Sequence, residues 1–353
     1  MNKQFHFVPT QNIPKANNEQ SPHLPLWKQF FHNKFNLFIV ICLLLIIFVL
    51  LAGSIFYKNS SYNPEYNSFL TNNLPSSLSP IVSRSYDKGP ITDYLFYLND
   101  HKVINLIDVQ NYQSTYTITY NPYDVIYATT KIKLHYILGT NHNGVDNLAI
   151  LFNSFSQTFA ILFIAAFLQG VLGIYTGTAF GYFYQGKTSK ISFWIIGTIM
   201  IIPFLFLSIL LFNLTGYSFV KAILILSFIG FFAIFYFSYT HTVALMQKEY
   251  IIAYKVLGLR PYKIIWRMCK INLFNTLPLI AEQMSLGLIS LAALSFFNID
   301  GIYLFANIGN LYKQLIDNPN NVALFIVTFV LSIILIILIK SLAYKIAQIF
   351  WRR

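Results

Sequence analysis

Side chains with catalytic or metal-binding chemistry are scarce in this sequence. It contains no glycine-rich phosphate-binding loop, no cluster with zinc-type spacing and no nucleophile–base pair. One carboxylate, Glu282, lies within a long apolar stretch. An ionised group at membrane depth is costly and usually faces a polar cavity or the interior of a helix bundle. The interpretations of Glu282 therefore stay open: it lines a polar translocation path, it fixes a contact between helices, or it is a snorkelling or hydrogen-bonded structural group near the inner end of the span.

A second group of charged residues forms a basic segment at 248–272. It includes the stretch EYIIAYKVLGLRPYKIIW, which begins at Glu249. Gly258 fits the position just after a helix, where φ is often positive, and Pro261 suits the first turn of a new helix, where its missing N–H costs nothing. The segment is predicted to form a short helix, a tight turn and a second helix that leads into the membrane. The alternative is an irregular basic loop. The basic residues are Lys248, Lys255, Arg260, Lys263, Arg267 and Lys270.

Composition places these residues in a polytopic membrane protein. The 353 residues are 56% hydrophobic and 10% charged, with a mean hydropathy of +0.56, whereas soluble domains carry about 25% charged residues. The net charge of +12 is explained by basic residues on the cytoplasmic side of a membrane. Nucleic-acid binding would need a basic soluble domain, and none is recognisable. Cys42 and Cys269 are expected at different depths, which disfavours a disulfide.

A bilayer-crossing helix needs roughly 20 apolar residues, and six stretches of the sequence meet that need. The predicted fold is therefore an all-α polytopic membrane protein with six transmembrane helices. The first stretch lacks a convincing cleavage site and is interpreted as an uncleaved anchor. The six predicted spans are 36–57, 155–183, 191–213, 219–239, 273–298 and 322–342.

The distribution of lysine and arginine predicts the orientation of these spans. With the N-terminus inside, the cytoplasmic segments hold 16 of the 24 basic residues, and only Glu19 and Glu249 among the acids. The outer segments hold eight basic and nine acidic residues. Because basic residues accumulate on the inner side of a cell membrane, both termini and the basic segment are predicted to be cytoplasmic.

The spans divide the chain into tails, an insert and a helical core. Residues 1–35 form a cytoplasmic tail, in which 26–35 is either an interfacial helix or an aromatic belt before the first span. The insert (58–147) is predicted to be a small extracytoplasmic domain of low regularity, with strands expected in KVINLIDV and TYTITYNPYDVIY because of their β-branched and aromatic residues. It either contacts a partner or serves packing. Residues 148–342 form the core, and 343–353 form a second cytoplasmic tail.

Small residues mark one face of the second predicted span. Ala166, Gly170, Gly173, Gly177 and Gly181 follow one another at spacings of 4, 3, 4 and 4. A face without side chains lets another helix approach closely. The spacing therefore predicts tight helix packing here, along a seam that also allows helices to rock.

The basic segment resembles the cytoplasmic coupling motif of binding-protein-dependent ABC transporter permeases. In that family Glu-Ala-Ala, three residues and Gly precede a helix. Ala253 and Gly258 stand at matching positions, and Glu249 matches the Glu-Tyr start of the peptide-transporter branch. Tyr254 replaces the second alanine, and the family's later Ile-x-Leu-Pro is degenerate here. The resemblance implies contact with an ATPase subunit through Glu249, Ala253, Tyr254, Gly258, Arg260 and Pro261.

Three further stretches resemble the same family, in its order. HYILGTNHNGVDNLAILFNS is similar to the His-x-Leu-Gly-Thr-Asp-x-x-Gly-Arg-Asp signature of dipeptide/oligopeptide permease subunits of the C type, although Asn141 replaces an aspartate and Val145 an arginine. AALSFFNIDG (292–301) is similar to the family's Ala-Leu-Ser-Phe-Leu-Gly-Leu-Gly, and NIGNLYKQ (307–314) to its Ser-Trp-Gly-Asn-Met-Leu, without the tryptophan. The residues that agree with the signature are His135, Leu138, Gly139, Thr140, Gly144 and Asp146.

The resemblance implies a transport subunit that is not itself an enzyme and binds no cofactor. Two separate cytoplasmic ATPase subunits would hydrolyse ATP, and their closure would switch the spans between inward and outward openings. A homologous second permease subunit would supply the other half of the path. An extracytoplasmic binding protein or lipoprotein would deliver the solute, and membrane lipid would surround the spans. Basic residues would steer ATPase docking, with contact area from Tyr254, Val256, Leu257 and Tyr262.

Alternatives to a peptide importer stay open. The same machine could carry nickel or another small solute, because C-type subunits of both look alike. A membrane-embedded enzyme would need polar groups clustered at one depth, and only Glu282 qualifies. A secondary transporter would show inverted repeats and paired intramembrane ions, which are not recognisable in the sequence. ATP dependence of uptake separates an ABC importer from a secondary transporter.

Overall fold

A computed structural model describes residues 26–317 and 321–351. The tail 1–25 and the last two residues, Arg352 and Arg353, lie outside the described residues. Within them the chain is mostly helical, with one small sheet in the insert. The helices are α1 (Leu26–His32), α2 (Lys34–Phe56), α3 (Ser68–Thr71), α4 (Pro90–Asp100), α5 (Pro122–Thr130), α6 (Asn147–Tyr182), α7 (Lys187–Ile199), α8 (Phe204–Thr215), α9 (Phe219–Leu245), α10 (Glu249–Val256), α11 (Pro261–Leu294), α12 (Ile308–Asp317) and α13 (Val322–Trp351); the strands are β1 (Val82–Asp87), β2 (Asp108–Asn111) and β3 (Thr115–Tyr120).

Five of the described helices are long and apolar enough to cross a membrane: α2, α6, α9, α11 and α13. The fold is therefore that of a multi-pass membrane protein. α6 begins at Asn147 rather than at the predicted 155, because the carboxylate of Asp146 accepts the N–H of Leu148 (2.8 Å) and caps the helix there. The cap stabilises helical turns before residue 155, where the apolar pattern alone predicts the start of the span.

The predicted third span, 191–213, is not one straight helix. It is divided into α7 and α8, which meet at an angle of 89°. Pro203 lies at the break and is the residue just before α8. Proline lacks an N–H, and its ring disfavours helical backbone in the preceding residue, so a helix usually ends before it. α7 packs on α9 by stacking Phe193 against Tyr236 (4.8 Å between ring centroids) and Tyr239 (4.5 Å).

Contacts between helix ends define two ends of the bundle. At the insert end, the Tyr57 hydroxyl donates to Asp146 (2.8 Å), and the N–H of Tyr217 donates to the carbonyl of Asp300 (2.7 Å). At the opposite, basic end, Phe274 stacks on Phe350 with ring centroids 4.7 Å apart. The basic segment and the starts of α2 and α7 share this second end.

The glycines of α6 allow close packing against α9 and α11. A β-carbon on Gly173 would lie 2.8 Å from the side chain of Ile234, and one on Gly181 would lie 2.8 Å from Thr242, both in α9. A β-carbon on Gly170 would instead lie 3.2 Å from Ile280 in α11. The seam thus serves two helices rather than one, and three of its glycines, counting Gly177, face α9.

We expect Gly177→Ala to destabilise the fold by about 1–3 kcal/mol, the usual cost of overpacking. The added β-carbon would lie 2.6 Å from the backbone carbonyl oxygen of Phe235, which has no rotamer to change. Gly197→Ala is the matched control, because its β-carbon meets only the ring of Tyr236 at 3.6 Å. Thermal unfolding in detergent measures both. Equal midpoints for the two variants would contradict close α6–α9 packing at Gly177.

The insert has its own three-stranded sheet and its own small hydrophobic core. Its sheet has the antiparallel order β1-β3-β2, and Leu95, Leu98, Ile104, Ile118 and Tyr120 form a separate core. Of the predicted strand 115–127, only β3 is extended. Asn121 then accepts the N–H of Tyr123 (3.1 Å) and starts α5. Of the predicted strand 102–109, only the last two residues belong to β2.

Candidate coupling site and polar network

The turn in the basic segment has the geometry that its glycine and proline predict. Gly258 has φ +71°. Its N–H donates to the carbonyl of Lys255 (3.0 Å), and the N–H of Leu259 donates to that of Tyr254 (3.1 Å). These two bonds close the Schellman motif at the end of α10. Pro261 then occupies the first turn of α11, so the segment is an ordered helix–turn–helix.

The tip of this turn is apolar and exposed. Val256 and Leu257 are 81% and 74% exposed, and Tyr262 and Trp266 on α11 are more than half exposed. Exposed apolar residues in a row are typical of a binding surface. Other predicted coupling residues, Glu249, Ala253, Gly258, Arg260 and Pro261, are also exposed around this tip.

Tyr254, also predicted to contact the ATPase, is less exposed than the residues of the tip. It is half-buried beneath the guanidinium of Arg267, whose central carbon lies 4.4 Å from the ring centroid. Ile251, fully buried, packs with Met246 and Met268 on the same side. Tyr254 therefore ties α10 to α11 by a cation–π contact, and the contact area of the tip comes from Val256 and Leu257.

The second helix of the turn and the predicted fifth span, 273–298, are one continuous helix. α11 contains 34 residues and is about 51 Å long at 1.5 Å per residue. Its one internal proline, Pro278, lies near the midpoint. Because proline has no N–H, the carbonyl of Phe274 loses its helical hydrogen bond there. A single helix thus joins the exposed tip to the insert end of the bundle.

A buried polar network links this helix to α6 and α9 near the basic end. The amide nitrogen of Asn272 donates to the hydroxyls of Thr178 (2.7 Å) and Thr242 (2.8 Å). Its oxygen lies 2.6 Å from Nδ1 of His241. Asn272, Thr178 and Thr242 are fully buried. Hydrogen bonds between transmembrane helices hold them in register, so three helices are fixed to one another just inside the basic end.

The network also sets the tautomer of His241. Because the nitrogen of Asn272 donates to two hydroxyls, its oxygen accepts from Nδ1–H of the imidazole. Nε2 is then free to accept from the side-chain amide of Asn275 (3.1 Å). The sequence interpretation missed this group. A signal was present in the adjacent polar residues of α9 (His241, Thr242) and in the polar residues at helical spacing in α11 (Asn272, Asn275, Thr276).

Glu282 forms an ion pair with Lys340 in α13, at 2.6 Å between Oε2 and Nζ. The cation is far away in sequence, so a search of neighbouring residues cannot find it. Both side chains are half-exposed in the isolated chain, 48% for Glu282 and 41% for Lys340. The pair bridges α11 and α13, which favours the helix-contact interpretation of Glu282.

We expect Glu282→Lys and Lys340→Glu to be destabilising singly, because each places two like charges side by side with no partner of opposite charge. The double variant Glu282→Lys/Lys340→Glu should recover most of the loss, with a coupling energy of about 1 kcal/mol. Unfolding free energies from the double-mutant cycle test this. If the losses simply add, the ion pair does not hold the two helices together. Transport lost in every variant, including the exchange, would favour the path interpretation.

The signature residues at 135–146 form a structural junction at the insert end. Asp146 is buried and accepts from Tyr57 and from the side-chain amide of Asn59, both at 2.8 Å. Burial and the hydrogen bond to Asp146 together raise the pKa of the Tyr57 hydroxyl. Gly139 has φ +67°, and a β-carbon there would lie 2.2 Å from the carbonyl of Leu74. The junction therefore fixes α2, the insert and α6 relative to one another.

A cavity of about 790 Å³ opens beside this junction. The polar face of α12 forms one wall, and the turn at 141–145 forms another. Asn310 is held by its amide bonds to the carbonyls of Ile302 (2.9 Å) and Phe305 (3.2 Å). Amide and charged side chains thus converge on this space. Its amide, imidazole and charged lining residues are Asn73, Asn141, His142, Asn143, Asn310, Lys313, Gln314 and Asp317.

A family model places this arrangement among known proteins. The model for the binding-protein-dependent transport system inner membrane component matches residues 169–350, more than half of the chain. No curated protein matches the sequence significantly. The matched range contains the basic segment, α9, α11, α12 and nearly all of α13. The chain therefore belongs to the family of inner-membrane components of binding-protein-dependent transport systems, the permease subunits of ABC transporters.

Proposed function

We propose that this chain forms half of the translocation path of an ATP-driven importer for dipeptides or oligopeptides. A homologous second permease forms the other half, and two cytoplasmic ATPase subunits dock on the basic segment. An extracytoplasmic binding protein or lipoprotein delivers the solute at the insert end. The chain itself hydrolyses no ATP and carries no cofactor.

The observation that carries the proposal is the exposed tip of the basic segment and its connection to the bundle. Val256 and Leu257 present apolar surface, and α11 continues from the turn through the whole bundle. Further along α11, the side chain of Asn272 fixes this helix to α6 and α9 by hydrogen bonds to Thr178 and Thr242. Movement of a docked ATPase would therefore shift three helices together, which is the physical requirement for coupling.

Peptide as the solute is supported by the similarity of residues 135–146 to the C-type signature and by the cavity beside them. Amide side chains such as Asn143, Asn310 and Gln314 donate and accept hydrogen bonds, as peptide groups do. His142 in the same cavity is the residue that favours the alternative, nickel or another small solute, because imidazole is a common ligand of transition metals.

Co-purification from native membranes followed by reconstitution tests the proposal. Two ATPases and a second permease should travel with this chain. ATP-dependent uptake into vesicles should follow addition of a binding protein and peptide, and should survive collapse of the ion gradient. Uptake of Ni²⁺ without uptake of peptide would show that the proposed solute is wrong and that the ATP-driven importer class is right. Uptake that needs only an ion gradient would overturn it.

The orientation is tested separately by labelling single cysteines in a background without Cys42 and Cys269. Positions 257 and 78 are both highly exposed apolar sites, at the basic end and in the insert. A membrane-impermeant maleimide should label position 78 in intact cells and position 257 only after permeabilisation. The reverse pattern would place the basic segment outside and exclude ATPase docking.

A further inference from the structure

A second cavity lies mainly in the insert; of its lining residues, Asn73 also lines the cavity beside α12, and Asn321 lies outside the insert. Its volume is about 770 Å³, within the range of roughly 300–1,000 Å³ that holds small ligands. Leu70, Ile91, Tyr94 and Val125 supply apolar walls between β1, α4 and α5. None of the described residues that line it is acidic. We call this space the insert cleft.

One cation, Arg84, faces the insert cleft. β1 alternates between half-buried and exposed residues, which turns Val82, Arg84 and Tyr86 toward the same side. Nη2 of Arg84 donates to the carbonyls of Asn72 (3.2 Å) and Asn73 (2.6 Å). These bonds hold the guanidinium against the cleft wall, and the charge is permanent at any physiological pH.

Arg84 has no carboxylate partner in the part of the chain that the structure describes. The ion pairs found there join Lys58 to Glu65 and Lys340 to Glu282. The two carbonyl bonds use one nitrogen and the Tyr120 hydroxyl takes one further hydrogen bond, which leaves other N–H donors of the five on the guanidinium for an acceptor. A fixed cation beside an apolar wall is complementary to a molecule that has an anionic end and an apolar body.

We propose that the insert cleft binds an apolar molecule that ends in a carboxylate, with the carboxylate on Arg84 and the apolar body against Leu70, Ile91 and Tyr94. The chemistry is shared by two sources, the C-terminus of a short apolar peptide and a fatty acid. The site is distinct from the coupling site and from the cavity beside α12. Its occupancy does not depend on transport, so failure of the proposed function would leave it standing.

Binding to the purified full chain in zwitterionic nanodiscs tests the site, with empty nanodiscs subtracted. The probes are N-acetyl-Leu-Phe and decanoate, each compared by calorimetry with its own amide. Loss of a charge-assisted hydrogen bond weakens binding by at least about ten-fold. Each acid that binds the cleft should therefore bind at least that much more tightly than its amide. The acid that shows the preference identifies the source. No preference for either acid would overturn the proposal.

Two variants assign the preference to the insert cleft. Arg84→Gln should reduce the preference for the acid over its amide below about three-fold, because only neutral hydrogen bonds remain. Lys88→Gln should leave this preference unchanged. Lys88 is the matched control because it lies just beyond β1 over the ring of Tyr116, outside the cleft. Ile91→Asp tests the same site without disturbing the carbonyl bonds, since Ile91 is a half-exposed wall residue. It should weaken acid binding more than Ile91→Asn. An acid preference that persists in both Arg84→Gln and Ile91→Asp would overturn the proposal.

Discussion

The double variant Val256→Asp/Leu257→Asp is expected to abolish ATP-driven uptake while the chain still inserts and folds. Both side chains are exposed at the tip of the basic segment, so charge there costs the isolated chain little. The few hot-spot residues at the centre of an interface each contribute about 2 kcal/mol or more, and we expect Val256 and Leu257 to be hot spots of this one because they form the exposed tip. Two buried aspartates without partners would add to that loss. Affinity for the ATPase subunits should therefore fall by at least about 1,000-fold, as measured by co-purification and by ATPase activity stimulated by the permease.

Leu78→Asp/Ile81→Asp is the matched control for this experiment. These residues are similarly apolar and exposed, but they lie in the insert at the opposite end. The control should keep full ATPase binding. Equal ATPase binding by the tip variant and the control would refute docking at the tip. Loss in both would point to a general folding defect, which a thermal melt of each variant distinguishes.

Asn272→Leu is expected to produce the largest loss of stability in the bundle, about 2–4 kcal/mol. The leucine leaves the hydroxyls of Thr178 and Thr242 and Nδ1 of His241 without their partner. Interhelical hydrogen bonds in membranes are worth about 0.6–1.7 kcal/mol each. We also expect solute-stimulated ATP hydrolysis to become independent of solute, because α11 would no longer hold α6 and α9. Equilibrium unfolding in mixed micelles and stimulated ATPase activity measure the two effects.

Thr276→Val is the control for the network. Thr276 lies one turn away on α11 and is equally buried, but its hydroxyl bonds only to the carbonyls of Asn272 (2.8 Å) and Leu273 (3.1 Å) in the same helix. Its loss should cost less than about 1 kcal/mol. A Thr276→Val effect as large as that of Asn272→Leu would mean that the network adds no stability between helices.

Features encoded by a few neighbouring residues could be predicted from the sequence. Gly258 and Pro261 predict the turn because a positive φ and a missing N–H have local consequences. The glycine spacing in α6 predicts a close helix contact for the same reason. The apolar length of each stretch predicts a span, except where Pro203 interrupts it and divides α7 from α8.

Features that depend on partners distant in the chain could not be predicted. Lys340 pairs with Glu282 across two helices, and neither residue marks the other in sequence. Arg267 lies over the ring of Tyr254 in the folded chain, and no local pattern in α10 indicates that contact. The insert core likewise depends on the pairing of β1 with β3, and β1 itself, VSRSYD, has too few β-branched and aromatic residues to be recognised as a strand.

The position of Pro278 has a mechanical consequence. On one side of it, Asn272 fixes α11 to α6 and α9; on the other side, Glu282 fixes α11 to α13. A helix bends most easily where proline removes a backbone hydrogen bond. Force applied at the tip would then bend α11 at this one residue, with one polar contact to the bundle on each side of the bend. Closure of the ATPase subunits would then open one end of the translocation path by changing the bend angle of α11 at Pro278. Pro278→Ala should stiffen α11 there and slow the transport cycle without weakening ATPase docking.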